Sequence, residues 1–179
     1  MGTVPTPPTF GPGETTGVSA KLNLLRDVQN FILNPPRCSA YHGTSANVPN
    51  NTATALALDS ELFDVVMSGD SPSHDNVTAN TRLVCRTAGT YEIVGAIRWV
   101  SNATGIREAQ VRLNGTTTLI KNAQNPSASS STDCATPPIE VALSPGDYIE
   151  LLGYQTSGGA LATVIGREVT FLRFKLTGA

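Results

Sequence analysis

Residues 85–99 read CRTAGTYEIVGAIRW, and their alternation of side chains is the clearest structural signal in the chain. Large apolar residues occupy alternate positions, at Tyr91, Ile93, Ile97 and Trp99. Polar or small residues lie between them, at Glu92, Ala96 and Arg98. A period of two is typical of a β-strand that buries one of its faces. This stretch therefore predicts a strand of a sheet that covers a core on one side.

The same pattern extends along the rest of the chain. Residues 109–113 and 139–143 alternate in the same way, and shorter strand-like runs lie at 39–41, 54–58, 82–85, 119–122, 148–154, 161–165 and 169–176. Asn114-Gly115 is a strong hairpin signal, Gly158-Gly159 is a weaker one, and the stretch 128–133 is expected to be a polar loop. About ten short antiparallel strands predict an all-β sandwich or jelly roll over residues 37–179.

The segment before the sandwich, residues 1–36, has a different character. An arm rich in proline and glycine precedes AKLNLLRDVQNFILN, which predicts an amphipathic helix of about four turns. Thr15, Thr16 and Ser19 are candidate N-caps, and Pro35 and Pro36 end the helix. Its apolar residues form two stripes, one with Val18, Leu22, Leu25 and Ile32, the other with Leu24, Val28 and Phe31. Such a helix needs a partner, which is its own copies, another protein, or the β domain of the same chain.

The composition excludes several classes of function. The chain carries 12 basic and 14 acidic residues in short alternation, for a net charge of −2. Without a basic cluster to neutralise phosphates, nucleic-acid binding is not expected. An apolar run long enough to span a membrane is absent from the sequence, and its first ten residues do not resemble a signal peptide. We therefore expect no membrane partner and synthesis in the cytoplasm.

Few residues offer catalytic or metal chemistry. The three cysteines, Cys38, Cys85 and Cys134, are far apart and are expected to be buried free thiols, with a disulfide or a cross-link between subunits as the alternatives. His74 lies among Ser68, Asp70, Ser71 and Ser73, where a solvated turn is a better interpretation than a catalytic triad. Asp59, Glu61, Asp64, Asp70 and Asp75 could supply calcium ligands, but their spacing matches no EF-hand. We predict no enzyme activity, no cofactor and no metal.

The β region resembles the C1q/TNF-like jelly roll. Residues 85–99 are similar to a strand of that family, SPGDYIELLGYQTSGG (144–159) resembles its later strand pair, and VTFLRFKL (169–176) resembles its closing strand. The resemblance implies a homotrimer in which one sheet of each copy packs aromatic and aliphatic side chains against its neighbours. The residues expected at this trimer interface are Tyr41, Tyr154, Phe171 and Phe174.

The N-terminal segment resembles a second kind of sequence. PTPPTFGPGETTGVSAKLNLLRDVQNFILNPP (5–36) is similar to the leader of tailed-bacteriophage virion proteins, in which it often precedes a C1q-like module. Thr16-Gly17-Val18-Ser19 departs from that pattern, and no long stalk follows. The residues expected to anchor the chain to the virion are Phe10, Val18, Leu22, Leu25, Val28, Phe31 and Ile32.

Together, the two resemblances imply a non-enzymatic structural protein on the exterior of a phage particle, made in the host bacterial cytoplasm. Its partners would be its own copies and the major capsid protein or a tail protein. A capsid decoration or short head fibre is the first interpretation. The alternative is a minor tail protein that binds a host surface glycan through loops such as 64–80 and 123–135.

Overall fold

The computed structural model describes residues 4–127 and 129–178. One helix, α1 (Val18–Leu33), precedes thirteen strands in this part of the chain. The strands are β1 (Arg37–Tyr41), β2 (Asn47–Val48), β3 (Thr54–Ala55), β4 (Ser60–Val65), β5 (Arg82–Val84), β6 (Gly89–Trp99), β7 (Arg107–Leu113), β8 (Thr117–Gln124), β9 (Thr132–Ala135), β10 (Ile139–Leu143), β11 (Tyr148–Gln155), β12 (Leu161–Ala162) and β13 (Phe171–Gly178).

The strands form two main antiparallel sheets that pack face to face. The first sheet has the order β10-β6-β13-β1-β4, with β9 also paired to β6. The second sheet has the order β3-β11-β7-β8, with β5 also paired to β11, and β12 pairs with β2 in a small third sheet. We call the end of the sandwich where α1 leads into Arg37 the leader end, and the opposite end the far end. Sequence neighbours are often not spatial neighbours, as expected of a jelly roll.

Alternating side chains from both sheets fill the core. Leu172 and Phe174 from β13 and Tyr91, Ile93 and Trp99 from β6 are at most 3% exposed. The Tyr91 and Phe174 rings meet edge to face with 5.0 Å between their centroids. Gly153 on β11 leaves room for Trp99, because a Cβ at residue 153 would lie 2.9 Å from the indole Cη2. The period of two read from residues 85–99 is confirmed.

Several local predictions are corrected by the structure. The segments 60–65 and 132–135 are strands, so the polar loop expected at 128–133 ends where β9 begins. Asn114-Gly115 does form a hairpin between β7 and β8, with φ of 51° and 72°. The Gly158-Gly159 turn instead precedes β12, whose partner is β2 and not β11.

The helix is present as predicted, but its N-terminus differs. Gly17 is the N-cap residue, with a φ of 73° and no side-chain cap bond, so Thr15, Thr16 and Ser19 do not serve as caps. Glycine adopts this left-handed conformation at little cost, whereas threonine does not. The helix ends at Leu33, two residues before Pro35. In the described residues, no helix is long and apolar enough to cross a membrane.

Candidate functional site

The outer face of the first sheet, the side that points away from the core, carries an unusual set of apolar side chains. Their positions alternate with core residues along each strand, so register places them on one surface. The apolar members from four neighbouring strands are Tyr41, Phe63, Val65, Val94, Ala96 and Phe171. Ala96 and Phe171 are direct cross-strand partners, as are Phe171 and Tyr41. We call this set the apolar patch.

Arginines lie beside the aromatic rings of this patch. The guanidinium carbon of Arg173 lies 4.1 Å from the Phe171 ring centroid, and that of Arg37 lies 5.6 Å from the Phe63 ring centroid. Arg173 also donates from Nε to the Ser39 hydroxyl at 2.9 Å. Aromatic residues with arginine are the composition enriched in protein interfaces. The patch therefore has the chemistry of an association surface.

A β-bulge increases the apolar area at the edge of the same sheet. Between β1 and β4 the register shifts, so that Ser39 pairs with Phe63 while Ala40 pairs with Glu61. The extra residue is Leu62, and it is 44% exposed beside Phe63 at 37%. Two consecutive exposed apolar residues on an edge strand need a cover or a partner.

At the far end of this face, the apolar patch ends at an ion pair between Arg98 and Asp133. Arg98 donates from Nε and Nη2 to the two carboxylate oxygens of Asp133, at 2.5 and 2.8 Å. The Arg98 guanidinium holds the pKa of Asp133 below its usual value. The bidentate geometry fixes both side chains within one chain.

The outer face of the second sheet is different in character, and Tyr154 lies there. Glu150 accepts from Thr81 and Arg82, at 3.0 and 3.3 Å. The Tyr154 hydroxyl donates to the Asn51 side-chain oxygen at 2.5 Å. Several polar groups of this face are thus bonded within the chain. Tyr154 lies on a different sheet from Tyr41 and Phe171 and is not brought together with them.

Phe174 is the other expected interface residue that the structure places elsewhere. Its side chain is 3% exposed and packs on Tyr91 inside the sandwich. Phe171 and Phe174 are three positions apart on one strand, so they must point to opposite faces. Of the four aromatic residues expected at the interface, Tyr41 and Phe171 lie on the apolar patch.

Sequence reasoning missed the place of Phe63, Val94 and Ala96 in the apolar patch. Val94 and Ala96 alternate with buried Ile93 and Ile97, so the period already placed both of them on the outer face. Phe63 had no such signal, because the strand that contains it was not predicted.

The leader helix exposes most of its apolar residues. None of its residues is buried, and Leu22 and Ile32 are 55% and 68% exposed. The half-buried apolar positions are Val18, Leu25, Val28 and Phe31, which combine members of both predicted stripes into one face. Only Phe31 among them packs against the hydrophobic core cluster. Contact of these four side chains with the core of their own β domain is therefore confined to the end of the helix.

A hook of arm residues closes on the start of the helix. Lys21 Nζ donates to the Thr9 carbonyl at 2.6 Å, binds Glu14 at 2.5 Å and lies 5.4 Å from the centroid of the Phe10 ring. The Lys21 ammonium holds the pKa of Glu14 below its usual value. Phe10, 48% exposed, is thus held beside the helix.

The two loops considered for glycan binding do not form one site. Strand β4 ends at Val65, paired with Arg37 at the leader end. Strand β8 ends at Gln124, paired with Arg107 at the far end. The loops that follow these strands therefore leave from opposite ends of the sandwich.

The solvated turn expected around His74 is wrong for Ser73 and His74 themselves, whereas Ser68 and Ser71 are exposed. Ser73 and His74 are 2% and 4% exposed. The His74 ring nitrogens lie 2.8 Å from the Arg82 carbonyl oxygen and 2.6 Å from the Leu58 carbonyl oxygen. Both nitrogens are thus engaged with the main chain, and the histidine ties its loop to β5.

Three of the five carboxylates considered for calcium, Asp59, Asp64 and Asp75, accept hydrogen bonds from backbone amides of nearby loops. Asp59 accepts from the Gly43 amide, and Asp64 accepts from the Ser73 and His74 amides. Asp75 accepts from Thr78 and Val77, bonds that lower its pKa to about 2. Within residues 4–127 and 129–178, no three His, Cys, Asp or Glu side chains gather as a metal-binding group.

The three cysteines are free and buried. Burial raises the pKa of Cys38 and Cys85, and raises that of Cys134 to about 12. Thiols in this state are poor nucleophiles, since the thiolate is the reactive form.

We expect none of these thiols to react with a polar thiol reagent in the folded protein, at about pH 8. After denaturation all three should react, because the unfolded chain exposes each sulfur with an ordinary pKa. Counting labels by intact mass before and after unfolding checks this. Rapid labelling of one cysteine in the folded state would contradict the buried placement of that residue.

Comparison with known proteins supports the architecture. No protein-family model and no curated protein matches the chain. Solved structures do match. Murine APRIL superposes with a TM-score of 0.60 at 12% identity, over 79% of this chain and 98% of that one. The fold is the C1q/TNF-like jelly roll.

Other similar structures agree. The Eiger TNF structure from S. frugiperda gives a TM-score of 0.55 at 16% identity, covering 80% of this chain and 95% of that one. The globular domain of zebrafish complement 1qA protein gives a TM-score of 0.54 at 12% identity, covering 80% of this chain and 99% of that one. The fold predicted from the sequence, a C1q/TNF-like jelly roll after one helix, is confirmed.

Proposed function

We propose that this chain is a non-enzymatic structural protein of a tailed-phage particle that works as a homotrimer. The observation that carries the proposal is that the chain has two separate apolar surfaces without a partner. These are the apolar patch and the exposed side of α1. Each lies apart from the core of its own chain. One surface serves self-association, and the other attaches the trimer to the particle.

The apolar patch is the part assigned to self-association. Three copies around a three-fold axis can bury their patches near the axis, with one part of each copy's surface contacting a different part of the next copy. The outer face of the second sheet, where Glu150 and Tyr154 are already bonded within the chain, then stays outside the interface. Burial of aromatic side chains such as Phe63 and Phe171 supplies the main driving force.

The leader, residues 1–36, is the part assigned to attachment. In each copy the leader joins the β domain at the leader end. A closed trimer therefore brings the three helices to one end of the assembly. Their remaining apolar residues, together with Phe10, would contact the major capsid protein or a tail protein. The leader's resemblance to virion proteins supports this assignment.

Imaging of the particle by cryo-electron microscopy tests the proposal. Density for the trimer at three-fold or quasi-three-fold positions of the capsid exterior is the expected result. A position at the tail tip, with glycan binding by residues 37–179, would favour the alternative of an adsorption protein. Absence of the chain from purified particles would overturn the virion role.

The anchor is tested by a double variant, Leu22→Asp with Ile32→Asp. Both side chains are more than half exposed in the chain, so the variant should fold normally. Burying two carboxylates against a partner is strongly unfavourable, and we expect incorporation into particles to fall at least about tenfold. Quantifying the protein in purified particles measures this.

Asn23→Asp with Gln29→Glu is the matched control, because both positions are exposed polar sites on the same helix. It adds the same number of negative charges outside the apolar residues and should be incorporated normally. Normal incorporation of the first variant would show that the helix is not the anchor.

A further inference from the structure

A row of four charged side chains crosses the outer face of the first sheet near its leader end. Arg37 on β1 lies opposite Lys175 on β13. Lys175 lies opposite Glu92 on β6, and Glu92 lies opposite Glu140 on β10. The order across the sheet is therefore basic, basic, acidic, acidic. We call these four residues the charge row.

All four side chains point away from the core. Glu92 lies between buried Tyr91 and Ile93, and Lys175 lies between buried Phe174 and Leu176. Glu92, Lys175 and Glu140 are exposed, and Arg37 is half-buried. The row borders the apolar patch, since Arg37 lies over the Phe63 ring.

Within one chain this arrangement is unfavourable. Two of the three neighbouring pairs, Arg37 with Lys175 and Glu92 with Glu140, place like charges directly opposite each other, which destabilises a sheet. Among the described residues, no member of the row forms an ion pair in its own chain. Arg98 and Asp133, on the same face, are by contrast fully paired.

The separation of signs matches what a neighbouring copy would present. In a cyclic assembly, one part of each subunit's surface contacts a different part of the next subunit. A row with its basic half on one side and its acidic half on the other is complementary to itself in that arrangement. The repulsion inside each chain is then offset by attraction between chains.

We propose that the charge row sets the register of association between copies of this chain, with Arg37 and Lys175 of one copy facing the acidic half of the next. The occupant of this part of the face is a second copy, because its charges complement the row. The inference rests on the proposed self-association and adds the element that selects orientation. Charges at the rim of an apolar contact act mainly in this way.

Charge reversal tests the inference in the full-length chain. One variant combines R37E with K175E, and a second combines E92K with E140K, so that each carries one sign along the whole row. Like charges brought together across an interface cost several kcal/mol, so we expect each variant to weaken trimer formation at least about 100-fold at low salt. Sedimentation measures the association, and circular dichroism verifies the fold.

A variant with all four substitutions is the decisive control. It restores one basic and one acidic half, in reversed order. Its trimer formation constant should therefore return to within about tenfold of that of the original chain. It should not form mixed trimers with that chain, because like halves would then meet. A neutral variant, Arg37→Gln with Lys175→Gln, should have a trimer affinity between that of the original chain and that of the R37E/K175E variant. Raising the salt concentration should reduce all these differences.

Two failures are distinguishable. If the original chain is a monomer at all concentrations tested, the proposed trimer and this inference are both overturned. If it is a trimer and the half-reversed variants associate equally well at low salt, the trimer stands and the role of the charge row is overturned. Free mixing of the four-fold variant with the original chain would also overturn it.

Discussion

Replacing Phe171 with aspartate is expected to leave the chain folded but monomeric. Phe171 lies in the far-end row of the apolar patch, between its direct cross-strand partners Tyr41 and Ala96. Truncation of an aromatic anchor at an interface costs about 2 kcal/mol or more. With three copies, the loss is about 6 kcal/mol, equal to about four powers of ten in the trimer formation constant. Light scattering over a range of concentrations measures the change.

Tyr154→Asp is the matched control for this experiment. Tyr154 is a half-buried aromatic residue on the outer face of the second sheet, bonded to Asn51. This variant loses that bond and some stability, but it should keep the oligomeric state of the original chain. A Phe171→Asp protein that remains trimeric, or a Tyr154→Asp protein that dissociates, would place the interface on another face.

The second large effect concerns the core. Trp99 is 0% exposed, and we expect Trp99→Ala to lower the free energy of unfolding by about 3–5 kcal/mol. Gly153→Ala should also destabilise the protein, by about 1–3 kcal/mol, because the new methyl group overlaps the indole. Chemical denaturation at a fixed protein concentration measures both changes, since self-association contributes to apparent stability.

The two positions should be coupled. In a Trp99→Leu background the indole is absent. The loss of unfolding free energy caused by Gly153→Ala should therefore be smaller there than in the original chain, by about 1 kcal/mol or more. Gly159→Ala is the control, because no atom lies within 4 Å of a Cβ added at Gly159. Additive effects of the two core substitutions would contradict the contact between Trp99 and Gly153.

The sequence predicted the sandwich because several of its strands alternate regularly. Strands β6, β7 and β10 place apolar residues at alternate positions, and that pattern needs no tertiary information. Strand β9 was missed because TDCA is too short to show a period, and its structure depends on pairing with β6. Strand β4 was missed because the bulge at Leu62 interrupts the alternation.

The candidate site was only partly predictable, for a related reason. The period tells which residues of one strand share a face, and it should have separated Phe171 from Phe174. It does not tell which residues of different strands are neighbours, because register depends on pairing. The charge row is formed by four strands from distant parts of the chain, so it becomes visible only in the folded structure.

The turn at Gly158-Gly159 has a practical consequence. It follows β11, whose last residue, Gln155, pairs with Arg107 at the far end, opposite the leader. Residues 158–160 are exposed, and exposed loop tips tolerate insertions. A foreign peptide inserted there would lie at the end of the sandwich opposite the leader helix. If the leader attaches the chain to a particle as proposed, this loop is a suitable position for displaying a foreign peptide.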